Sequence, residues 1–114
     1  MKKGAIDIEQ ALERTKKRID DLVERKRAKK LTQEELEERA IEIGTRLVTQ
    51  IHVLSLTRAG LANADIARRM TRDMEMATSP DSVSRWRYAK QTASPEHREA
   101  LESLRLSVKK KGES

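Results

Sequence analysis

The sequence predicts an all-α protein: a long N-terminal helical hairpin followed by a C-terminal domain of shorter helices. Three observations carry that prediction. Apolar residues recur at spacings of three and four through most of the 114 residues, the period of one helical face. Serine, threonine and aspartate stand where those periodic runs begin, as helix caps do. Only two prolines and four glycines punctuate the chain, too few for the many turns of an all-β fold.

The first helix is predicted over residues 7–26. Asp7 can cap it, and Gln10 stands three residues on, as in a capping box. Ile8, Leu12, Thr15, Ile19 and Leu22 form a seam of coiled-coil spacing, at most three heptads long. Such a seam serves equally to pack on a neighbouring helix of the same chain or on a second subunit. The basic run Glu24–Lys30 that ends it reads as solvated surface, with phosphate contact as the alternative.

Thr32 and Glu35 make a second capping box and open the next helix. Its stripe is Leu36, Ala40, Ile43, Leu47, Ile51 and Leu54, widened by Ile41 and Val48, and it stops at Gly60. Some 26 residues at about 1.5 Å each give a rod of about 39 Å. That exceeds what a small domain can cover, so its first half is expected to pack on residues 7–26, on a second subunit, or on both. Ile8, Leu12, Ile19, Leu22, Leu36, Ile43 and Leu47 are the expected dimerisation residues. Gly44 marks a close helix contact or a kink.

Charge is distributed unevenly. The net charge of +6 and isoelectric point near 9.8 suit a polyanionic partner. Residues 1–30 carry eleven basic against six acidic side chains, residues 31–60 three against five, and residues 61–114 eleven against eight. The middle segment is therefore the least suited to lie on a polyanion and reads as scaffold. With no cysteine there is no disulfide or thiolate chemistry, consistent with a cytoplasmic protein. The most hydrophobic window, residues 47–56, is too short and polar to span a bilayer, so no membrane association is expected. His52 and His97 are far apart, and no zinc cluster, phosphate-cradling loop or nucleophilic triad is legible. Neither an enzyme, nor a metal site, nor a cofactor is expected.

The functional signal lies in residues 60–101. Gly60 breaks the preceding helix, Asn63 can cap the next, and Ile66, Ala67 and Met70 give it an inner face. Ser79, Pro80 and Asp81 then start another helix, with Val83 and Trp86 pointing inward. Pro80, Asp81, Ser84, Arg85 and Tyr88 spread over its remaining surface. Small polar residues and an arginine at an exposed helix start suit a major groove, where arginine reads guanine. Ser94, Pro95 and Glu96 open a last helix with Leu101, Leu104 and Val108 along its stripe, and residues 109–114 read as a basic disordered tail.

At these residues the chain resembles the Cro/CI-type (XRE-like) helix-turn-helix proteins. The resemblance covers residues 47–106. It rests on Gly60-Leu61-Ala62-Asn63-Ala64-Asp65-Ile66-Ala67, on Ser79-Pro80-Asp81-Ser82-Val83-Ser84-Arg85-Trp86, and on Ala89-Lys90 followed by Ala93-Ser94-Pro95. The family's short inter-helix turn is replaced by the longer segment 71–78, so either the first motif helix runs on through Met74 or a loop has been inserted. Residues 31–40 also look like a motif opening, but Glu37 falls where the family buries a small residue.

The resemblance implies a DNA-binding transcriptional regulator, a repressor of bacterial, phage or plasmid origin, inserting helix 79–90 into the major groove of double-stranded DNA as a homodimer. It implies base contacts from Pro80, Asp81, Ser82, Ser84 and Arg85, and backbone contacts from Asn63, Ser79, Arg87, Tyr88 and Lys90. With it the fold becomes a long N-terminal helical hairpin, the dimerisation region over 1–46, followed by a C-terminal helix-turn-helix DNA-binding domain over 47–108 and the basic tail over 109–114. Two alternatives stay open: a phage small terminase subunit recognising packaging DNA, and a helical protein-interaction or antitoxin-like module. Whether a small-molecule effector acts on the protein is not legible.

Overall fold

In the computed structural model the backbone is described for residues 6–113 and the side chains for residues 6–108. The chain is helical throughout, with no strand among the described residues. In order, the helices are α1 (Ile8–Arg27), α2 (Gln33–Arg58), α3 (Asn63–Asp73), α4 (Pro80–Arg87) and α5 (Pro95–Glu113).

Local chemistry sets most of these boundaries. Asp7 accepts from the Gln10 amide at 2.8 Å, and Gln10 accepts from the Asp7 amide at 3.2 Å. Thr32 and Glu35 form the same reciprocal pair at 3.1 Å in both directions. These bonds satisfy amides that a helix start leaves free. They also hold the Glu35 carboxyl below the usual 4.5, because both Thr32 groups donate to it. Between α1 and α2 the chain reverses through Lys29, whose φ is 60°. The Lys30 amide returns to the Arg25 carbonyl at 2.9 Å, closing the end of α1 as a glycine C-cap does.

The second half of α2 is the spine of the molecule. Val53 and Leu56 are buried with Ile66, Met70, Val83, Trp86, Leu101 and Leu104 in the main core. A smaller cluster joins Leu54 to Ile6 and Ala11, with Ile8, Leu47 and Tyr88 against it. The start of α1 is thereby tied to the same body as α4, and α2 runs unbroken across position 46, where the sequence suggested a boundary.

The hairpin packs on much of the expected seam, with Thr15 and Leu22 buried and Ile8 and Ile19 half-buried, but Ala11 takes the place of Leu12. Ala11, Thr15 and Leu22 are the buried residues of α1, whereas Leu12 is 47% exposed. Ile41 and Val48, read as widening the buried stripe of α2, are 69% and 48% exposed. Small residues at 11 and 15 let the two helices approach, and this rotates Leu12 outward. A Cβ on Gly44 would meet nothing within 4 Å, so no close contact inside the chain explains that glycine. The tail reading also differs: the backbone of α5 continues to Glu113. No breaker falls between Val108 and Gly112, and cationic residues suit a helix C-terminus; the side chains of 109–113 lie outside those described.

Two expectations follow. Lysine in the left-handed region is strained where glycine is not, and Lys29 is exposed, so Lys29→Gly should stabilise the fold by about 1 kcal/mol in urea unfolding. His52 is 7% exposed with Nδ1 lacking an acceptor or donor. Burial first, then Arg105, hold its pKa below 6.5, against a smaller opposing pull from Glu102. The folded state therefore keeps His52 neutral where the unfolded chain takes up a proton. Stability should fall as pH drops from about 6.5 toward the lower folded value. His52→Gln should flatten that part of the pH profile of the urea midpoint; an unchanged slope would assign it to other groups.

Candidate nucleic-acid interface

The end of α2 leads into α3 through Gly60, whose φ of 103° allows the Leu61 amide to reach back to the Leu56 carbonyl at 3.0 Å. Asn63 is not the cap that the sequence suggested. It is already the first helical residue, and Ala62 is the cap position. Asp65 accepts from the Ala62 amide at 3.0 Å, so an acidic side chain one turn in satisfies the helix start. Asn63 is half-buried, with Oδ1 enclosed and unpartnered. Ile66, Ala67 and Met70 face the core.

The long connection has a defined form. Of the two possibilities read from sequence, α3 gains residues as far as Asp73, and residues 74–79 then cross to α4. Glu75 takes a φ of 54°, and the Met76 amide bonds the Met70 carbonyl at 2.9 Å, which closes α3. Thr71 and Thr78 then clamp the crossing: the Thr71 hydroxyl donates to the Thr78 carbonyl at 3.1 Å and accepts from its amide at 3.0 Å. Met74 and Met76 pack against the core beneath the crossing.

Ser79 caps α4, accepting from the Ser82 amide at 3.1 Å, and Pro80 follows at the first helical position. Val83 and Trp86 are buried, and the Trp86 ring lies 5.5 Å from that of His97 on α5. Anchored there, α4 leaves Pro80, Asp81 and Arg85 exposed, with Ser82 and Ser84 half-buried beside them. Arg85 is held at two points. One guanidinium nitrogen pairs with Asp81 at 3.0 Å, and another donates to Gln91 at 3.3 Å. Both partners are exposed, so the arrangement orients the guanidinium without locking it.

Beyond α4, Ala89 adopts a φ of 55° and the Lys90 amide bonds the Arg85 carbonyl at 2.8 Å, leaving Lys90 exposed. Arg87 and Tyr88 are half-buried. Gln50 of α2 donates to the Arg87 carbonyl at 2.9 Å, and the Arg87 guanidinium carbon sits 6.0 Å from the Tyr88 ring centre. Of the backbone contacts inferred from resemblance, Ser79 and Lys90 are thus exposed, while Asn63, Arg87 and Tyr88 are partly built into the scaffold.

The structure adds residues that sequence reasoning missed. Gln91 orients Arg85, Arg46 of α2 donates to Thr92 at 3.1 Å, and Arg98 donates to the Ala93 carbonyl at 2.7 Å. Together they brace the loop after α4. The spacing from Arg46 to Thr92 carries no sequence signal, because only the fold brings them together. Exposed Arg69 and Arg72 of α3 add positive charge, while Arg68 is paired with Asp65 at 3.2 Å. Among the described residues no group of histidine, cysteine and carboxylates could hold a metal ion, and no helix is long and apolar enough to cross a membrane.

Comparison with family models, with curated proteins and with solved structures gives no match to this chain.

Proposed function

We propose that the protein is a sequence-specific DNA-binding regulator of transcription, acting as a repressor by occupying its site as a dimer. The observation that carries this reading is α4 itself. It is a short helix fixed from behind by Val83 and Trp86, and it shows Pro80, Asp81 and Arg85 to solvent at its start and Lys90 just past its end. A groove-reading helix needs that division: an anchored back, base-reading side chains in front, and a cation at the flank for phosphate.

A single such helix covers too few base pairs for useful discrimination, which favours a two-fold dimer. The hairpin supplies the surface. Leu12, Ile41 and Val48 are exposed, and the space over Gly44 is open. The charges also suit a second copy. Glu34, Glu35, Glu37 and Glu38 crowd the start of α2, whereas α1 and its turn carry a basic excess. No ion pair joins α1 to α2 among the described residues; those of the hairpin are all local to one helix. Both stretches flank the same turn, so a partner hairpin lying alongside with its turn at the same end sets the acidic stretch of each copy against the basic stretch of the other. Leu22, by contrast, is buried within the hairpin and serves the monomer.

Arg85→Ala is expected to cost about 1–3 kcal/mol at the specific site and to relax preference at one base pair. Lys90→Ala should weaken specific and random DNA alike, and with four phosphate contacts per subunit the log–log salt slope for a dimer should be about −7. Selection of bound sequences from random DNA, followed by titration at several salt concentrations, checks both. A slope near zero would sink the reading, and a uniform loss in Arg85→Ala would make Arg85 a phosphate contact.

Val48→Glu and Leu12→Glu are expected to convert the dimer to monomer with helical content retained, whereas Leu22→Ala should cost about 2–5 kcal/mol of stability. Sedimentation equilibrium with urea unfolding separates the two effects. A wild-type chain that sediments as a monomer, or as a ring of many copies, contradicts the dimer.

A further inference from the structure

Away from α3 and α4, the start of α1, the end of α2 and the second half of α5 enclose a cavity of about 400 Å³. That lies within the range of small-molecule sites, about 300–1,000 Å³. Its walls divide chemically. Ile8, Leu56, Leu106 and Val108 give apolar surface, and two arginines, Arg58 and Arg105, stand among them. Leu106 is 52% exposed although it lies on the inner side of this cavity wall, so apolar surface is left uncovered there.

The arginines are the telling feature. Neither forms an ion pair with any described residue. Arg105 is half-buried and Arg58 exposed. Glu102, one turn earlier on α5, lies near enough to influence His52 yet does not pair with Arg105. A wholly apolar ligand would cover Leu106 and leave both guanidinium charges unpaired. A simple inorganic anion would reach the arginines and leave the apolar wall bare.

We propose that this cavity binds a small amphipathic anion, with an apolar chain or ring against Ile8, Leu56, Leu106 and Val108 and a single carboxylate or sulfonate on Arg58 and Arg105. The guanidinium fork can meet two oxygens of either group, matching geometry as well as charge. Such a ligand bridges α1, α2 and α5 without covering α4. The site does not rest on the DNA reading, and a protein that binds no DNA would keep it.

The test uses the full-length chain with anilinonaphthalenesulfonate as fluorescent probe, and with decanoate and decanol as competitors of equal chain length. The expected result is one saturable site, displaced by decanoate at a concentration about tenfold lower than by decanol. Arg105→Gln should weaken the probe about tenfold, the loss of one charge-assisted bond. Arg58→Gln, at an exposed position that the fold does not need, should weaken it in the same direction and guards against misfolding of the first variant. Amide NMR spectra with decanoate should shift at Ser55, Ala59, Leu106 and Val108. Equal displacement by decanol, unsaturable probe uptake, shifts confined to Leu12 and Val48, or full affinity in Arg58→Gln would each overturn the assignment. Arg85→Ala should leave the probe titration unchanged, which keeps this result separate from any result with DNA.

Discussion

Burial of Val53, Leu54 and Leu56 along the second half of α2 is the contact on which the other helices depend. Val53 and Leu56 complete a core shared with α3, α4 and α5, while Leu54 turns to the start of α1. Each such side chain contributes about 1.5–3 kcal/mol when fully buried. Losing this row would detach elements on three sides at once, so the stability of α4 is inseparable from that of α2. Gln50 adds a directional link: its bond to the Arg87 carbonyl fixes the end of α4 against the spine. The first half of α2 has no such neighbours except α1, and Ile41 remains exposed there. A molecule extended to 50 × 34 × 26 Å follows from that asymmetry.

Much of this was legible in the sequence, and the reason is local. Capping boxes at Asp7 and Thr32, and the Ser79-Pro80 start, are decided by residues within one turn of each other, so the sequence states them directly. The inward direction of Ile66, Met70, Val83 and Trp86 followed from helical spacing for the same reason. Where the reading departed from the structure, the deciding contact lay elsewhere in the chain or the pattern was degenerate. The stripe of α1 that runs through Thr15 and Leu22 can begin at Leu12 or at Ala11; only the partner helix chooses, and it chose the smaller residue. Asn63 looked like a cap because asparagine is a good one, yet the chain enters α3 one residue earlier and Asp65 satisfies the start. The crossing at 74–79 was opaque because its clamp joins Thr71 to Thr78, a pairing with no motif of its own.

On the proposed reading, the pairing of Arg85 with Asp81 bears on how specificity could arise. An exposed ion pair of this kind is worth about 0–1 kcal/mol, whereas a bidentate arginine–guanine contact discriminates by about 1–3 kcal/mol. Exchange of Asp81 for guanine is then favourable only where the base edge meets the guanidinium in good geometry. On random DNA the gain is smaller, and Arg85 does better to stay with Asp81 and Gln91. Asp81 also repels the phosphates that a misplaced helix would bring close. Removing that carboxylate should therefore raise affinity for random DNA more than for the specific site. Asp81→Asn, measured against both at one salt concentration, tests that difference: an equal gain on both would mean that Asp81 only dilutes positive charge and takes no part in discrimination.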